Sequence, residues 1–258
     1  MVVGLGETGL SYARYLTAKN QSFIVMDHAP TKLRVDALVK INANADVRAI
    51  DLPTLLAADE IFVSPGVPLN SPEMTAVRAA GKTIRGDVEM FGELINAPYV
   101  AITGTNGKST VSVLFYQMAL DQLKKVSLAG NIGIPCLDVI DEDTKLYVLE
   151  LSSYQLELAT HLIPDVAVVL NLSPDHLDRY KDADSYYQTK LALYRYCRKA
   201  VVNREMLQSH TGMFVERSDI ETLSFGLDEP QGVNEFGIKR SADDSMLMNG
   251  DIPLVAAS

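Results

Sequence analysis

The chain has 258 residues, enough for two domains with a sizeable core, and at 47% hydrophobic it falls among soluble α/β proteins. A formal net charge of −10 argues against general nucleic-acid binding, which needs a basic face to release the counterions of the phosphates. No apolar run reaches the roughly 18 residues of a membrane span, and Met1-Val2-Val3-Gly4 opens no signal-like segment, so a cytoplasmic protein is expected.

Val2-Val3 is a short strand, followed at once by Gly4-Leu5-Gly6-Glu7-Thr8-Gly9, an intact G-x-G-x-x-G, and by a helical stretch from about Leu10 to Lys19. The second strand, Phe23 to Met26, ends on Asp27, near the spacing at which an acidic residue meets a ribose hydroxyl. By itself this resembles a dinucleotide fingerprint. Strand one has almost no residues before its turn, where a strand usually has about five or six, so the chain is expected to start late. A polar, helix-capable segment runs to Leu38, and the stretch from Ala57 to Val63 reads as a strand ending in a Ser64-Pro65-Gly66 turn. Such a turn points into the ligand crevice of an open parallel sheet. Pro72 to Ala80 reads as a helix and Thr83-Ile84-Arg85 as a strand. A boundary near Gly86 to Pro98 then divides the chain into residues 1–86 and 87–258.

Tyr99-Val100-Ala101-Ile102 is a short buried strand, and Val111 to Leu120 carries apolar residues at helical spacing. Between them lies Thr103-Gly104-Thr105-Asn106-Gly107-Lys108-Ser109-Thr110. A glycine loop that hands a strand over to a helix N-terminus binds phosphate, because free N–H groups and the helix dipole face the anion. Gly104 and Gly107 permit close backbone approach, Lys108 supplies a point charge, and Ser109 offers a hydroxyl to magnesium. The strict Walker pattern would place glycine at Ile102, so the match is partial.

Further on, a strand ending at Leu128 enters the turn Ala129-Gly130-Asn131-Ile132-Gly133, which presents Asn131. Cys136 and Cys197 stand far apart without metal-type spacing and read as two buried thiols in a reducing compartment. Leu146 to Leu149 is a buried strand that ends in Glu150-Leu151-Ser152-Ser153-Tyr154-Gln155-Leu156-Glu157. A carboxylate there is well placed to hold magnesium on the β- and γ-phosphates, although a lone glutamate also serves as a helix N-terminal charge. The strand Val166 to Leu170 leads into Asn171-Leu172-Ser173-Pro174-Asp175-His176-Leu177-Asp178-Arg179-Tyr180. Lys190 falls on a helix from about Ser185 to Cys197, with Leu191, Leu193 and Tyr194 as packing residues. Taken singly, His176 and Lys190 have ordinary surface readings. Asn249-Gly250 reads as a hairpin turn.

In this order, the glycine turn, Ser-Pro-Gly, Gly-Thr-Asn-Gly-Lys-Ser-Thr, Gly-Asn-Ile-Gly, Glu-Leu-Ser-Ser-Tyr-Gln-Leu-Glu, Asp-His-Leu-Asp-Arg-Tyr and Lys190 resemble the Mur ligases over the whole chain, most nearly their D-glutamate-adding branch. The resemblance implies an α/β protein: a Rossmann-like N-terminal UDP-binding domain, then a P-loop-type mononucleotide-binding central domain with a mostly parallel sheet. It implies ATP-dependent amide synthesis in the making of peptidoglycan. The carboxylate of a UDP-sugar peptide precursor takes the γ-phosphoryl group, and the amine of D-glutamate attacks the acyl phosphate. A carboxylate is a poor electrophile until one oxygen becomes a leaving group, so charge neutralisation is the main task.

The same resemblance assigns Gly104, Thr105, Asn106, Gly107, Lys108, Ser109 and Thr110 to the ATP phosphates, with Lys108 on the β- and γ-phosphates. Ser109 and Glu150 would hold one magnesium ion and His176 would help hold a second. Lys190 would carry a carbamate formed with carbon dioxide beside that second ion, which requires a pKa low enough to react as the neutral amine. Glu7, Thr8, Asp27, His28, Ser64, Pro65, Gly66, Asn131 and Ser152 would bind the UDP ligand. His28-Ala29 departs from the threonine-arginine type of pair found in some members.

Nothing corresponds to the family's third, C-terminal domain, which supplies D-glutamate contacts and closes over ATP. The chain is therefore expected to be a fragment, inactive alone and monomeric. A sister Mur ligase or a folylpolyglutamate-type synthetase shares the phosphate loop and the carbamate. A nicotinamide dehydrogenase would own the first glycine turn and Asp27, and a ligand-binding module without catalysis is the remaining alternative.

Overall fold

The computed structural model describes residues 1–210, 212–213, 217–241 and 244–256. Its first part runs β1 (Val2–Val3), α1 (Glu7–Ala18), β2 (Ile24–Met26), α2 (Lys32–Ile41), β3 (Asp46–Arg48), α3 (Leu52–Ala57), β4 (Ile61–Val63), α4 (Pro72–Ala79) and β5 (Ile84–Arg85). The strands form a five-stranded parallel sheet in the order β3-β2-β1-β4-β5. Successive strands step to one side of β1 and then to the other, so a crevice opens past the carboxyl ends of β1 and β4. Side chains alternate across the sheet: Val2, Val25 and Phe62 face one apolar cluster, Val3, Met26, Ile61 and Val63 the other. Helices α2, α3 and α4 start where side chains satisfy first-turn amides, whereas α1 follows Gly6 without such a cap. Thr31 accepts from Arg34 N, Asp51 from Thr54 N and Ser71 from Met74 N.

The second part runs α5 (Asp87–Leu94), β6 (Tyr99–Thr103), α6 (Lys108–Leu123), β7 (Val126–Gly130), β8 (Leu146–Glu150), α7 (Ser153–Leu156), β9 (Val166–Val169), α8 (Ala183–Leu191) and β10 (Lys199–Asn203). It continues with α9 (Arg204–Ser209), β11 (Glu221–Phe225), β12 (Glu235–Arg240), β13 (Ser245–Asn249) and β14 (Ile252–Ala256). These strands make a nine-stranded sheet ordered β14-β13-β12-β11-β10-β9-β6-β8-β7. It is parallel from β7 through β12 and antiparallel at its last two pairings. Every residue of β6 is buried, which is why it reads as a continuous apolar run. Ile102 pairs with Glu150 and Thr103 with Val169, so the loops after β6, β8 and β9 leave the sheet side by side.

Some expected elements shift. Ala57 closes α3, and the strand before Ser64 is only Ile61–Val63. The helix expected over Ser185–Cys197 is α8 followed by a separate 3₁₀ turn, Ala192–Tyr194. The C-terminal hairpin forms, but Asn249 pairs with Ile252, so Gly250 and Asp251 make the turn. Cys136 and Cys197 are both buried and free. Among the described residues no helix is long and apolar enough to cross a membrane.

Candidate functional site

A cleft of about 610 Å³ lies between the two sheets. The first turn of α1 contributes Glu7 and Thr8, the loops after β2 and β4 contribute Asp27, His28, Ser64, Pro65 and Gly66, and the segments after β7 and β8 contribute Asn131 and Ser152. All residues assigned to the UDP ligand from sequence thus border one space. The Ser64 hydroxyl donates to the Gly4 carbonyl at 2.9 Å and locks the two turns together. Asp27 is partly used by the fold itself: its carboxylate accepts Leu5 N at 2.6 Å and Ala29 N at 2.8 Å, so it shapes the glycine turn. Glu7, at the N-terminus of α1, pairs with Arg34 on the rim.

On the opposite wall, Gly130 adopts φ +107°, and a Cβ there would lie 2.2 Å from the Glu150 carbonyl. Only glycine allows that approach, and it lets Asn131 N donate to the same carbonyl at 2.8 Å. Ser152 caps α7, accepting Gln155 N at 3.2 Å while Gln155 Oε1 accepts Ser152 N at 3.1 Å. Tyr154 and Gln155 also line the cleft. Sequence reasoning left them unassigned, although both lie in the string from Glu150 to Glu157.

The glycine loop expected to meet phosphate joins β6 to α6. Gly107, at φ +78°, is the N-cap and makes no side-chain cap, so the first-turn amides are left to an anion or water. Lys108 curls back, its Nζ donating to the carbonyls of Gly104 at 2.9 Å and Thr105 at 3.0 Å. The loop is braced by the segment after β9. Thr105 N donates to Asn171 O at 3.0 Å, Asn106 N donates to Asn171 Oδ1 at 2.8 Å, and Asn171 Nδ2 donates to Asn106 O at 2.9 Å. Ser109 and Thr110 are exposed at the mouth of the helix.

Glu150 is fully buried at the end of β8. Its Oε1 accepts Asn131 Nδ2 at 2.8 Å, and its Oε2 is buried without a hydrogen-bond partner. A buried, half-satisfied carboxylate beside a phosphate loop fits a hard divalent cation. Lys190 is 1% exposed, its Nζ 3.4 Å from Thr103 Oγ1 and 4.8 Å from the centroid of the Tyr186 ring. Burial, reinforced by the charge of Lys108 and opposed by Asp175, pushes its pKa from 10.5 down to about 7. His176 sits at φ +53° on the loop after β9; its Nδ1 shares a hydrogen bond with the Tyr154 hydroxyl at 3.1 Å, and its Nε2 lies 3.6 Å from Asp175 Oδ2. Among the described residues no group of three or more His, Cys, Asp or Glu is poised to hold a metal, so any ion would rely on other ligand types as well.

A parallel sheet and a mostly parallel one with a cleft between their loops, the second carrying a glycine loop that opens a helix, define a two-part α/β architecture of nucleotide-binding type. Residues 102–254 match the Mur ligase middle domain, and residues 1–86 match the Mur ligase MurD-like N-terminal domain. The chain belongs to the Mur ligase family. It is 38% identical over 249 residues to the UDP-N-acetylmuramoylalanine--D-glutamate ligase of Pseudomonas syringae pv. tomato, covering 96% of this chain and 55% of that protein. It is 41% identical over 254 residues to the ligase of the same name from Hahella chejuensis, with the same coverages of 96% and 55%. The chain therefore spans about half the length of these curated relatives. The fold is shared with a murein peptide ligase from Psychrobacter arcticus at a TM-score of 0.57 and 15% identity, covering 99% of this chain and 59% of that one. Family membership removes the dehydrogenase reading of the first glycine turn.

Proposed function

We propose that this chain is the UDP-ligand and ATP-binding part of a ligase that joins D-glutamate to UDP-N-acetylmuramoylalanine for peptidoglycan. The observation that carries the reading is the junction at Glu150. Its side chain lies between the cleft, through Asn131, and the sheet that holds the phosphate loop, and it keeps one carboxylate oxygen free. A cation held by that oxygen would neutralise charge where a carboxyl group from the cleft is to meet a γ-phosphate.

In this reading residues 1–86 hold the UDP portion and residues 87–258 hold ATP; the packing of α5 on α7 and on the 3₁₀ turn Cys136–Val139 supports drawing the line at Asp87. Lys108 leaves the loop carbonyls to meet the β- and γ-phosphates, and the α6 amides take the remaining charge. Ser109, Glu150, His176 and Lys190 are the residues that would hold magnesium, which supplies charge neutralisation on the transferring phosphoryl group. Lys190, a neutral amine for much of its population near pH 7, adds carbon dioxide to give a carbamate and a proton. This exchanges a buried cation for an anionic oxygen ligand. The substrate carboxylate then displaces ADP from the γ-phosphorus, and the D-glutamate amine displaces phosphate from the acyl carbon. The D-glutamate pocket and the group that closes over ATP are assigned to the part of the relatives' length that this chain does not span.

Calorimetry tests the assignment: the chain should bind UDP-N-acetylmuramoylalanine and should not bind NAD tightly. Tight NAD binding with no response to the UDP ligand would sink the reading. Phosphate release with both substrates, compared between this chain and one extended at its C-terminus, tests where activity resides.

A further inference from the structure

The Arg179 guanidinium faces three parts of the molecule at once. Nε reaches Glu157 Oε1 at 3.2 Å and Nη2 reaches Glu157 Oε2 at 2.7 Å, a fork-to-fork pair. Nη2 also donates to the Val67 carbonyl at 3.3 Å, from the second sheet's loops to the first sheet's. The cation stands 4.0 Å from the centroid of the Tyr154 ring. With side chains only 11% and 15% exposed, Arg179 and Glu157 are withdrawn from solvent, unlike a surface bridge.

These partners border different ligand regions. Val67 and Tyr154 line the cleft, and the Tyr154 hydroxyl bonds to His176. The segment bearing His176 begins at Asn171, whose side chain grips Asn106 of the phosphate loop through two hydrogen bonds. A polar path therefore runs from the Ser-Pro-Gly loop to the phosphate loop, and Arg179 stands where it crosses between the sheets.

We propose that Arg179 is a positioning residue that couples the two nucleotide sites, clamping Val67 and Tyr154 so that the placement of His176 and the phosphate loop depends on whether the cleft is filled. The inference rests on the assignment of the UDP ligand to the cleft and ATP to the loop. A ligand seated against Val67 and Tyr154 shifts the groups that the guanidinium holds. Because Glu157 fixes that guanidinium at two points, the shift passes to Tyr154 and His176 and is not absorbed by a swinging side chain. Such coupling is reciprocal: each ligand tightens the other by the same factor. The Arg14–Asp138 pair joins the two parts independently of Arg179, so substituting Arg179 does not remove the connection between them.

The test is calorimetric titration of the chain with a non-hydrolysable ATP analogue plus magnesium and with UDP-N-acetylmuramoylalanine, each alone and with the other saturating. The wild type should show mutual tightening of at least about fivefold. Arg179→Ala should bring that ratio close to one while the ATP analogue alone binds within about threefold of wild type. Arg179→Lys, which keeps the charge but not the fork, should fall between. Glu157→Gln loosens the same fork from its other side and should also lower the ratio; with Arg179→Lys it carries the test if the alanine variant does not fold. An unchanged ratio in folded Arg179→Lys and Glu157→Gln overturns the inference, as does independent binding of the two ligands by the wild type. Failure of either ligand to bind the wild type at all overturns the site assignment itself, and the coupling with it.

Discussion

Asn131 Nδ2 donates to Oε1 of the fully buried Glu150 at 2.8 Å, which ties a side chain that lines the cleft to the end of β8 in the sheet that carries the glycine loop. It leaves Oε2 without a partner inside the protein. A buried carboxylate with an orphan oxygen is an unfavourable arrangement unless a cation completes it.

Glu150→Gln should accordingly leave the fold as stable as the wild type or about 1 kcal/mol more stable, because a neutral amide keeps the shape and removes the buried charge. The same change should weaken magnesium-dependent ATP binding by about tenfold or more. Thermal melts and magnesium titrations of ATP affinity check the two halves, and equal loss of stability and binding would assign Glu150 a purely structural role.

Lys108→Ala removes the ammonium from a loop whose backbone it now touches through Gly104 and Thr105. ATP affinity should fall by about tenfold or more, the scale of a charge-assisted contact, while affinity for the UDP ligand changes little. Calorimetry with each ligand separates this outcome from a folding defect, which would reduce both.

Lys190 has its pKa lowered in the folded state to about 7 from an ordinary 10.5. Between those values the unfolded chain binds more protons than the folded one, so stability rises with pH across the window. The penalty of the buried cation is full below about pH 7 and gone above about pH 10.5. In metal-free protein, Lys190→Met should therefore flatten the pH dependence of stability from pH 7 upward, by an amount on the order of 5 kcal/mol over the window. Denaturant unfolding at several pH values measures it; an identical slope in the variant contradicts the lowered pKa. In a chain that carries the remaining part of the relatives, Lys190→Ala should abolish synthesis, and a small carboxylic acid in the buffer should restore part of it.

Gly130→Ala should destabilise the protein by about 2–4 kcal/mol, because φ +107° and the Glu150 carbonyl at 2.2 Å leave no place for a methyl group. Gly66→Ala, where nothing lies within 4 Å of the added Cβ, should change stability by less than about 1 kcal/mol. Parallel melts of the two variants provide the comparison, and similar losses in both would refute the close-approach argument.

Local chemistry in the sequence determined the glycine turn after β1, the Ser-Pro-Gly turn after β4, the phosphate loop before α6 and the buried strands β6 and β8. Each is dictated by neighbouring residues, through backbone freedom at glycine, apolar periodicity or a helix N-terminus, and each stands where those patterns put it. The short strands were harder. Ala57 carries the same apolar signal in α3 that it would carry in a strand, and Asp46–Arg48 has almost none, so β3 is defined by its pairing with β2 alone. Tertiary structure decided the rest, since charge and burial depend on what folds around a residue. Lys190 looks like any helix lysine until Thr103 and Tyr186 close over it, and Glu150 becomes half-satisfied only because Asn131, brought in by the Gly130 turn, takes one oxygen. Arg179 and Glu157 stand in two of the quoted strings, but their pairing was not legible there: Glu157 lies 22 residues away and Val67 lies 112, and only the packing of one part on the other brings Val67 to the pair.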